Sequence, residues 1–355
     1  SVSGALVTFV GILAAAAVVG AVYAVQREWL NNLPWWNPLT NKCRFKIMWS
    51  TLQLVSSIER STRAVWPDPF KVFVDIVGLT QLDFFNVLPM DCVRESSLYE
   101  QLLTFTLAPL LAFCVLRFTP LYTNHPRWGL GQGKCIYFMQ LLAFLVLPAT
   151  SLVLFKLFDC TEFPDGKSFV TADLAVQCYT AKYKSYLVYA SFMLLLYPFG
   201  IPLTFFSLLY PKRHLITSRT QDEPLHPRLV KYRFLLESFK PSHWHGEVVR
   251  SWMRVCLSGV IILLTPNTAA RAAYGSVFGF VCVVGQREYS PFRAAFNNRL
   301  ALVAQYVIFG AYVLAFIVVS KPEGVSRNRS LGVLMLLANV SVFALLFSQQ
   351  RKEAK

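Results

Sequence analysis

The sequence predicts an all-α integral membrane protein, a polytopic helical bundle of about nine spans with one amphipathic helix at the interface. Of its 355 residues, 55% are hydrophobic and only 15% are charged. An average soluble domain has about 25% charged residues with which to cover its surface. Apolar runs of about 20 residues, the length of a helix that crosses a bilayer, recur along the chain.

Eight predicted spans are strongly apolar, and they cover residues 2–25, 98–122, 135–158, 186–210, 248–265, 269–284, 300–320 and 331–347. A ninth span, residues 45–60, is partly polar because it contains Ser50, Gln53 and Ser57. After the break at Trp66-Pro67, residues 69–85 have the pattern of an amphipathic helix that lies in the interface.

The basic residues predict the orientation, because Lys and Arg are concentrated in cytoplasmic loops. Segment 211–247 is the most basic connection and is therefore predicted to be a cytoplasmic loop. With nine spans the N terminus lies outside, the C terminus lies in the cytoplasm and segment 159–185 is extracellular. The basic loop 321–329 is the one connection that disagrees. We expect the plasma or ciliary membrane as the location.

The net charge of +15 also raises two binding hypotheses. Nucleic acid is not an expected partner, because the basic residues lie between apolar segments and not along one aromatic-rich face. Membrane lipids are expected partners, and the basic loop is a candidate site for anionic headgroups. Its candidate residues are Lys212, Arg213, Lys231 and Arg233. The alternative is that these charges only orient the chain.

The cysteines favour a disulfide over a metal site. Cys160 and Cys178 flank a polar segment that is predicted to be extracellular, and they are expected to pair there. Cys92 is an alternative partner for either. No pair of cysteines has CxxC spacing, and no catalytic motif of a hydrolase or nucleotide-binding enzyme is present. We therefore expect no metal, no cofactor and no enzymatic activity.

Polar residues inside apolar spans suggest either a path through the bundle or hydrogen bonds that hold its helices together. Ser50, Gln53 and Ser57 recur at the spacing of one helical face. Residues that could line the same interior are Gln140, Gln305 and Asn339. The sequence leaves both interpretations open.

Pro198, Gly200 and Pro202 are expected to kink or break the span that covers residues 186–210. Pro109 and Pro148 occupy similar positions inside the two preceding spans. A broken helix frees backbone carbonyls that can line a cavity. A kink that serves only packing is the alternative.

Several patches, taken in order, resemble the polytopic C-terminal membrane module of large TRP-like surface proteins of protists and algae. They are Phe45-Lys46-Ile47 with Gln53, Trp66-Pro67 with Phe70, Leu82-Asp83 before Pro89 and Cys92, Cys160 with Asp165-Gly166, Asp173 and Cys178, Tyr197-Pro198, Gly200-Ile201-Pro202, Trp244 with Glu247, Arg250 and Arg254, and Pro291-Phe292 with Asn297-Asn298. His245-Gly246 stands where an aromatic residue is usual in these proteins.

This resemblance implies a channel or sensory receptor module at the end of a larger surface protein, with an extracellular domain or assembly N-terminal to it. Asn328-Arg329-Ser330 is a glycosylation sequon in a loop predicted to lie outside, so a glycoprotein is expected. A homo-oligomer is an open expectation. The second hypothesis is a non-conducting anchor or subunit of an extracellular or membrane assembly. The third is a lipid transporter or scramblase.

Overall fold

The computed structural model describes residues 38–78, 97–122, 132–220, 223–320 and 329–353. The predicted span at residues 2–25 lies outside the described residues, as do Cys92 and Asn328. The described chain is almost entirely helical, which confirms the all-α class.

In chain order the helices are α1 (Pro38–Thr62), α2 (Phe70–Gly78), α3 (Leu98–Tyr122), α4 (Gln132–Lys156), α5 (Ala181–Leu194), α6 (Gly200–Leu209), α7 (Arg213–Thr217), α8 (Arg233–Leu236), α9 (Gly246–Val255), α10 (Ile261–Leu264), α11 (Thr268–Tyr289), α12 (Ala295–Ser320) and α13 (Arg329–Glu353). Two π-helical turns, Leu195–Phe199 and Cys256–Val260, join α5 to α6 and α9 to α10. Short 3₁₀ turns cover Tyr210–Lys212, Pro227–Tyr232 and Pro241–His243.

Five helices of the described chain are long and apolar enough to cross a membrane, and they identify it as a helical membrane protein. They are Leu98–Phe118, Gly133–Lys156, Ala181–Thr217, Thr268–Tyr289 and Ala295–Ser320. The predicted spans at 45–60, 248–265 and 331–347 are helical but fall outside this set. α1 and α9 are too polar to qualify by composition, because each has a buried polar face.

Helices α11 and α12 form a tightly packed hairpin. Gly275 and Gly279 of α11 have the small-residue spacing that lets membrane helices approach closely. A side chain at Gly275 would overlap the ring of Tyr312, and one at Gly279 would press on the backbone of Phe309. The Tyr312 hydroxyl in turn donates a hydrogen bond to the Leu257 carbonyl, which ties α12 to the second π-helical turn.

We expect Gly275→Ala to lower the stability of the folded protein by about 1–3 kcal/mol, because the added methyl group overpacks the α11–α12 contact. Gly285→Ala, in the same helix but with open space at its Cβ position, is the matched control. It should be neutral or stabilising by up to about 1 kcal/mol through helix propensity. Unfolding of the purified protein in detergent measures both, and equal effects at the two positions would contradict the packing argument.

Segment 159–185, which was predicted to be an extracellular loop, contains a small antiparallel sheet of order β1-β2-β3. The all-α expectation did not include this sheet. Its strands are β1 (Cys160–Glu162), β2 (Ser168–Val170) and β3 (Asp173–Gln177). Gly166, with φ of 75°, closes the turn between β1 and β2, and the Cys160–Cys178 disulfide closes the sheet. Thr180 then caps α5 by accepting a hydrogen bond from the Tyr183 N–H, so the helix begins five residues before the predicted span at 186–210.

The irregular part of that span is a π-helical turn, and the helix does not unwind there. Pro198 lies inside the turn, where the wider winding accommodates its missing N–H. Gly200 follows, and a Cβ there would lie 2.9 Å from the Leu195 carbonyl oxygen. Pro202 lies in α6, which continues the helix directly from the π-helical turn. Of the expected kink or break, the break does not occur, because the helix continues through one wide π-helical turn.

The basic segment 211–247 is a folded layer, where the sequence analysis expected a loop. Its apolar side chains Ile216, Leu229, Phe234 and Leu235 are buried against α4 and α6. Helix α2 corresponds to the N-terminal part of the predicted interfacial helix, and it packs on α1 and α13. Residues 79–85 of that helix lie outside the described chain.

Candidate functional site: a buried polar seam

A stripe of polar side chains runs along the buried face of α1. Lys46, Ser50, Gln53, Ser57 and Ser61 recur every three to four residues, and all are buried. Fifteen residues of helix separate the first from the last, a length of roughly 22 Å against a hydrocarbon core of about 30 Å. The stripe therefore extends over most of the distance across a bilayer.

A second polar stripe lies on the helix formed by α9 and the following π-helical turn. Glu247, Ser251, Arg254 and Ser258 are all buried and share one face. Side chains of this stripe bond to side chains of the α1 stripe. We call the two stripes together the polar seam.

An ion pair closes one end of the polar seam. Lys46 Nζ lies 2.6 Å from Glu247 Oε2, and the Glu247 side chain is only 1% exposed. Lys46 Nζ also donates to the Phe234 carbonyl at 2.9 Å and lies 4.0 Å from the centre of the Phe234 ring. The pair therefore connects α1 and α9 to the folded basic segment.

The middle of the seam is joined through a bond between Arg254 and Gln53. Arg254 Nη2 donates to Gln53 Oε1 at 2.6 Å and to the Phe144 carbonyl at 2.7 Å. Gln53 Nε2 donates to the Leu145 carbonyl at 2.9 Å. The Phe144 carbonyl is available because Pro148, four residues later, has no N–H to donate to it. Arg254 thus takes the place of the hydrogen bond that α4 lacks.

The same exchange occurs at the proline of α3. Pro109 leaves the Phe105 carbonyl without its helical donor, and Thr150 of α4 donates to that carbonyl at 3.2 Å. The carbonyls freed by Pro109 and Pro148 accordingly accept bonds from neighbouring helices. In the described structure they serve contacts between helices.

A cluster of charges lies at the C-terminal end of α1. Arg271 of α11, 1% exposed, donates to both carboxylate oxygens of Asp159 at 2.9 and 2.7 Å. Arg63 donates to Asp159 at 2.6 Å, and Arg271 Nε donates to the Thr265 carbonyl at 2.7 Å. Asp159 directly precedes Cys160, so this cluster fixes the disulfide-closed sheet to the helical bundle.

The carboxyl group of Asp159 has a lowered pKa. Burial alone would raise the pKa, but the hydrogen bonds and charges of Arg271 and Arg63 outweigh burial and hold it below its usual 3.8. A carboxylate with a depressed pKa stabilises the folded state fully above its unfolded-state pKa, and this contribution is lost as the pH falls through the folded-state pKa.

We therefore expect the contribution of Asp159 to be constant above about pH 5 and to disappear as the pH falls below the ordinary aspartate value of about 3.9. Unfolding midpoints of the purified protein between pH 7 and pH 3 test this. Asp159→Asn should lose the part of the acid dependence that this group causes. An unchanged acid profile in that variant would contradict the assignment.

The predicted lining residues do not form one path. Ser50 and Gln305 face a common small cavity, and Gln53 is joined to it through Arg254. Ser57 and Asn339 donate to carbonyls of their own helices, at Leu54 and Met335. Gln140 contacts the Lys231 carbonyl at 3.5 Å, away from the seam.

The charged residues of the site were not predicted as site members: Lys46, Glu247 and Arg254 entered only as residues of the resembling patches, and Asp159 and Arg271 were not singled out. A usable signal existed, because Arg254 and Arg271 lie within the predicted spans 248–265 and 269–284. Ionisable residues at such positions mark functional or structural centres. Among the described residues, no group of three or more His, Cys, Asp or Glu side chains could hold a metal ion.

Comparison with protein families, with curated proteins and with solved structures gave no match. The chemistry of the polar seam is therefore the basis for assigning a function to this chain.

Proposed function

We propose that this chain is the membrane module of a TRP-like channel or sensory receptor, in which the polar seam controls opening. The supporting observation is the bond between Arg254 and Gln53, buried in a bundle of apolar helices. Ionisable groups inside such bundles are energetically costly and are typically functional. This bond joins α1 and α9, and the contacts of both residues with α4 make it a junction of three helices.

The described conformation corresponds to a closed state of this seam. Gln53, Ser57 and Ser61 are fully buried. Water could reach them only after α1 and α9 separated, which requires breaking the Arg254–Gln53 bond. A hydrogen bond to a charged group contributes about 1.5–3 kcal/mol, enough to shift a two-state equilibrium by tenfold or more.

The charge of the seam favours a controlling role over the role of a cation filter. Lys46 and Arg254 in the seam, with Arg250 beside it, bring three positive charges against the single carboxylate of Glu247. A constriction with this charge repels cations. For a TRP-like cation channel we therefore propose that ions pass elsewhere, between copies of a homo-oligomer, and that the seam transmits the opening movement.

The proposed topology keeps nine spans, with the N terminus outside and the C terminus in the cytoplasm of a plasma or ciliary membrane. α1, the segment formed by α9 and α10, and α13 count as spans, because their polar residues Gln53, Arg254 and Asn339 are buried within the bundle. The disulfide-closed sheet then lies outside, below an extracellular domain.

Lipid headgroups are the proposed partners of the folded basic segment. The charges of Lys212, Arg213, Lys231 and Arg233 lie between 4.1 and 5.3 Å from tyrosine ring centres. A cation beside an aromatic ring is typical of the interfacial belt, where Tyr and Trp lie at headgroup level.

Currents from the purified chain in planar bilayers test the channel function. We expect Gln53→Leu to raise the basal current about tenfold, since the loss of about 1.5–3 kcal/mol from the closed seam shifts the closed–open equilibrium. Thr62→Val is the matched control, because Thr62 is equally buried on α1, lies outside the polar seam and donates only to the Ile58 carbonyl of its own helix among the described contacts. It should leave the current unchanged.

Absence of current from well-folded wild type and Gln53→Leu alike would favour the second candidate, a non-conducting anchor. The observation in its favour is the Arg271–Asp159–Arg63 cluster, which fixes the extracellular sheet rigidly to the bundle. Lipid transport has no comparable support, since the described polar seam faces the interior of the bundle and not the lipid.

A further inference from the structure

A small cavity lies beside the polar seam, where α1, α9 and α12 meet. Its polar lining consists of Ser50 and Thr51 of α1, Arg250 and Arg254 of α9 and Gln305 of α12. The centre of a water molecule placed in this cavity could move within about 10 Å³. This volume is at the lower limit for one small occupant and excludes a phosphate or carboxylate ligand.

Several polar atoms on the cavity wall have no hydrogen-bond partner among the described residues. They are Ser50 Oγ, Arg254 Nε and Nη1, and Gln305 Oε1. Their residues are 3%, 2% and 6% exposed, so bulk water does not satisfy them. Folded proteins leave few buried polar atoms unsatisfied, and such a group on three separate helices indicates a bound occupant.

The charge of the lining restricts the chemistry of this occupant. Arg250 and Arg254 carry positive charge, and among the described lining residues there is no carboxylate. Glu247, three residues before Arg250 on α9, already pairs with Lys46. The single carboxylate of Glu247 is thus shared by three cations, which leaves a net positive charge around Arg254, itself 2% exposed, and an uncompensated buried charge is strongly unfavourable. Arg250 is only partly buried and lies 5.2 Å from the centre of the Phe292 ring.

We propose that this cavity binds one small monovalent anion of the size of chloride. The Ser50 hydroxyl and the free N–H groups of Arg254 are donors, which an anion accepts. Gln305 adds a donor when its amide is turned, since the two ends of an amide are assigned from their surroundings. A water molecule would fill the same space without compensating the charge. This proposed anion site is independent of whether the chain conducts ions.

The wild-type protein provides the first test. Its thermal unfolding in detergent is compared in sodium chloride and in sodium gluconate at equal ionic strength and pH, because gluconate is too large for the cavity. We expect a saturable rise of the midpoint by about 3 °C when chloride exceeds its Kd a hundredfold. Crystals soaked in bromide should show an anomalous peak between Ser50 and Gln305.

Variants then locate the effect. Ser50→Val removes a donor and fills the cavity, so it should lose the difference between chloride and gluconate. Ser57→Ala, also on α1 and fully buried but outside the lining, should retain that difference. If Ser50→Val does not fold, the wild-type salt comparison and the bromide map still decide whether an anion binds in the cavity.

Equal midpoints in the two salts, together with no bromide peak in the cavity, would overturn the proposal and leave a water molecule as the occupant. A chloride effect that persists undiminished in folded Ser50→Val would also overturn it, since the anion would then bind elsewhere.

Discussion

Glu247→Gln is expected to destabilise the folded protein by about 3–5 kcal/mol, the usual effect of removing one partner of a buried ion pair. Glu247 is 1% exposed and pairs with Lys46 at 2.6 Å. Without its carboxylate, the positive charge of Lys46 stays buried, and Arg254 loses the carboxylate that also offsets its charge. The measurements are the yield of monodisperse protein and its unfolding midpoint.

Two further variants make this result interpretable. Glu223→Gln, in an exposed part of the same basic segment, should change stability by less than about 0.5 kcal/mol. The double variant Lys46→Met with Glu247→Leu removes both charges of the pair and should be more stable than the single variant. If Glu247→Gln were as stable as wild type, the polar seam would not depend on this ion pair.

Asp159→Asn is expected to have the second large effect, again about 3–5 kcal/mol. The substitution keeps the size of the side chain but removes the negative charge that faces Arg271, which is 1% exposed. The sheet that begins at Cys160 should then detach from the bundle more readily. Limited proteolysis between β1 and β3 measures this loosening, and unfolding midpoints measure the loss of stability.

The control for this variant lies in the same sheet. Asp165→Asn changes an exposed carboxylate whose distance to the Lys167 ammonium is 4.0 Å, and exposed pairs of this kind contribute about 0–1 kcal/mol at most. Proteolysis rates that rise equally in the two variants would show that charge in the sheet matters in general. The contact with Arg271 would then have no special role.

The fold was predictable wherever a helix is uniformly apolar. The span predicted at 98–122 coincides with α3, and the span at 135–158 differs from α4 by two or three residues at each end. The strands were not predictable, because segments of three to five residues have no clear periodicity. The π-helical turn at Pro198 was also missed, since a proline signals a break without specifying its form.

Only the part of the candidate site that lies on α1 was predictable from the sequence. The spacing of Ser50, Gln53 and Ser57 correctly indicated one polar face on α1. Nothing in that spacing identifies Arg254 as the partner of Gln53, because the two residues are 201 positions apart in the chain. The proline at 148 was recognised as a helix irregularity, but its freed carbonyl has a role only because Arg254 reaches it.

The sequence by itself determined the class of molecule, because hydropathy and charge content are properties of composition, and it determined which face of α1 is polar, because helical spacing is local. It also indicated the pairing of Cys160 with Cys178, which the structure contains. The tertiary structure alone decided which charges meet. Helix packing brings Lys46 to Glu247 and Asp159 to Arg271. The members of each pair are far apart in the sequence, and no local pattern encodes such contacts.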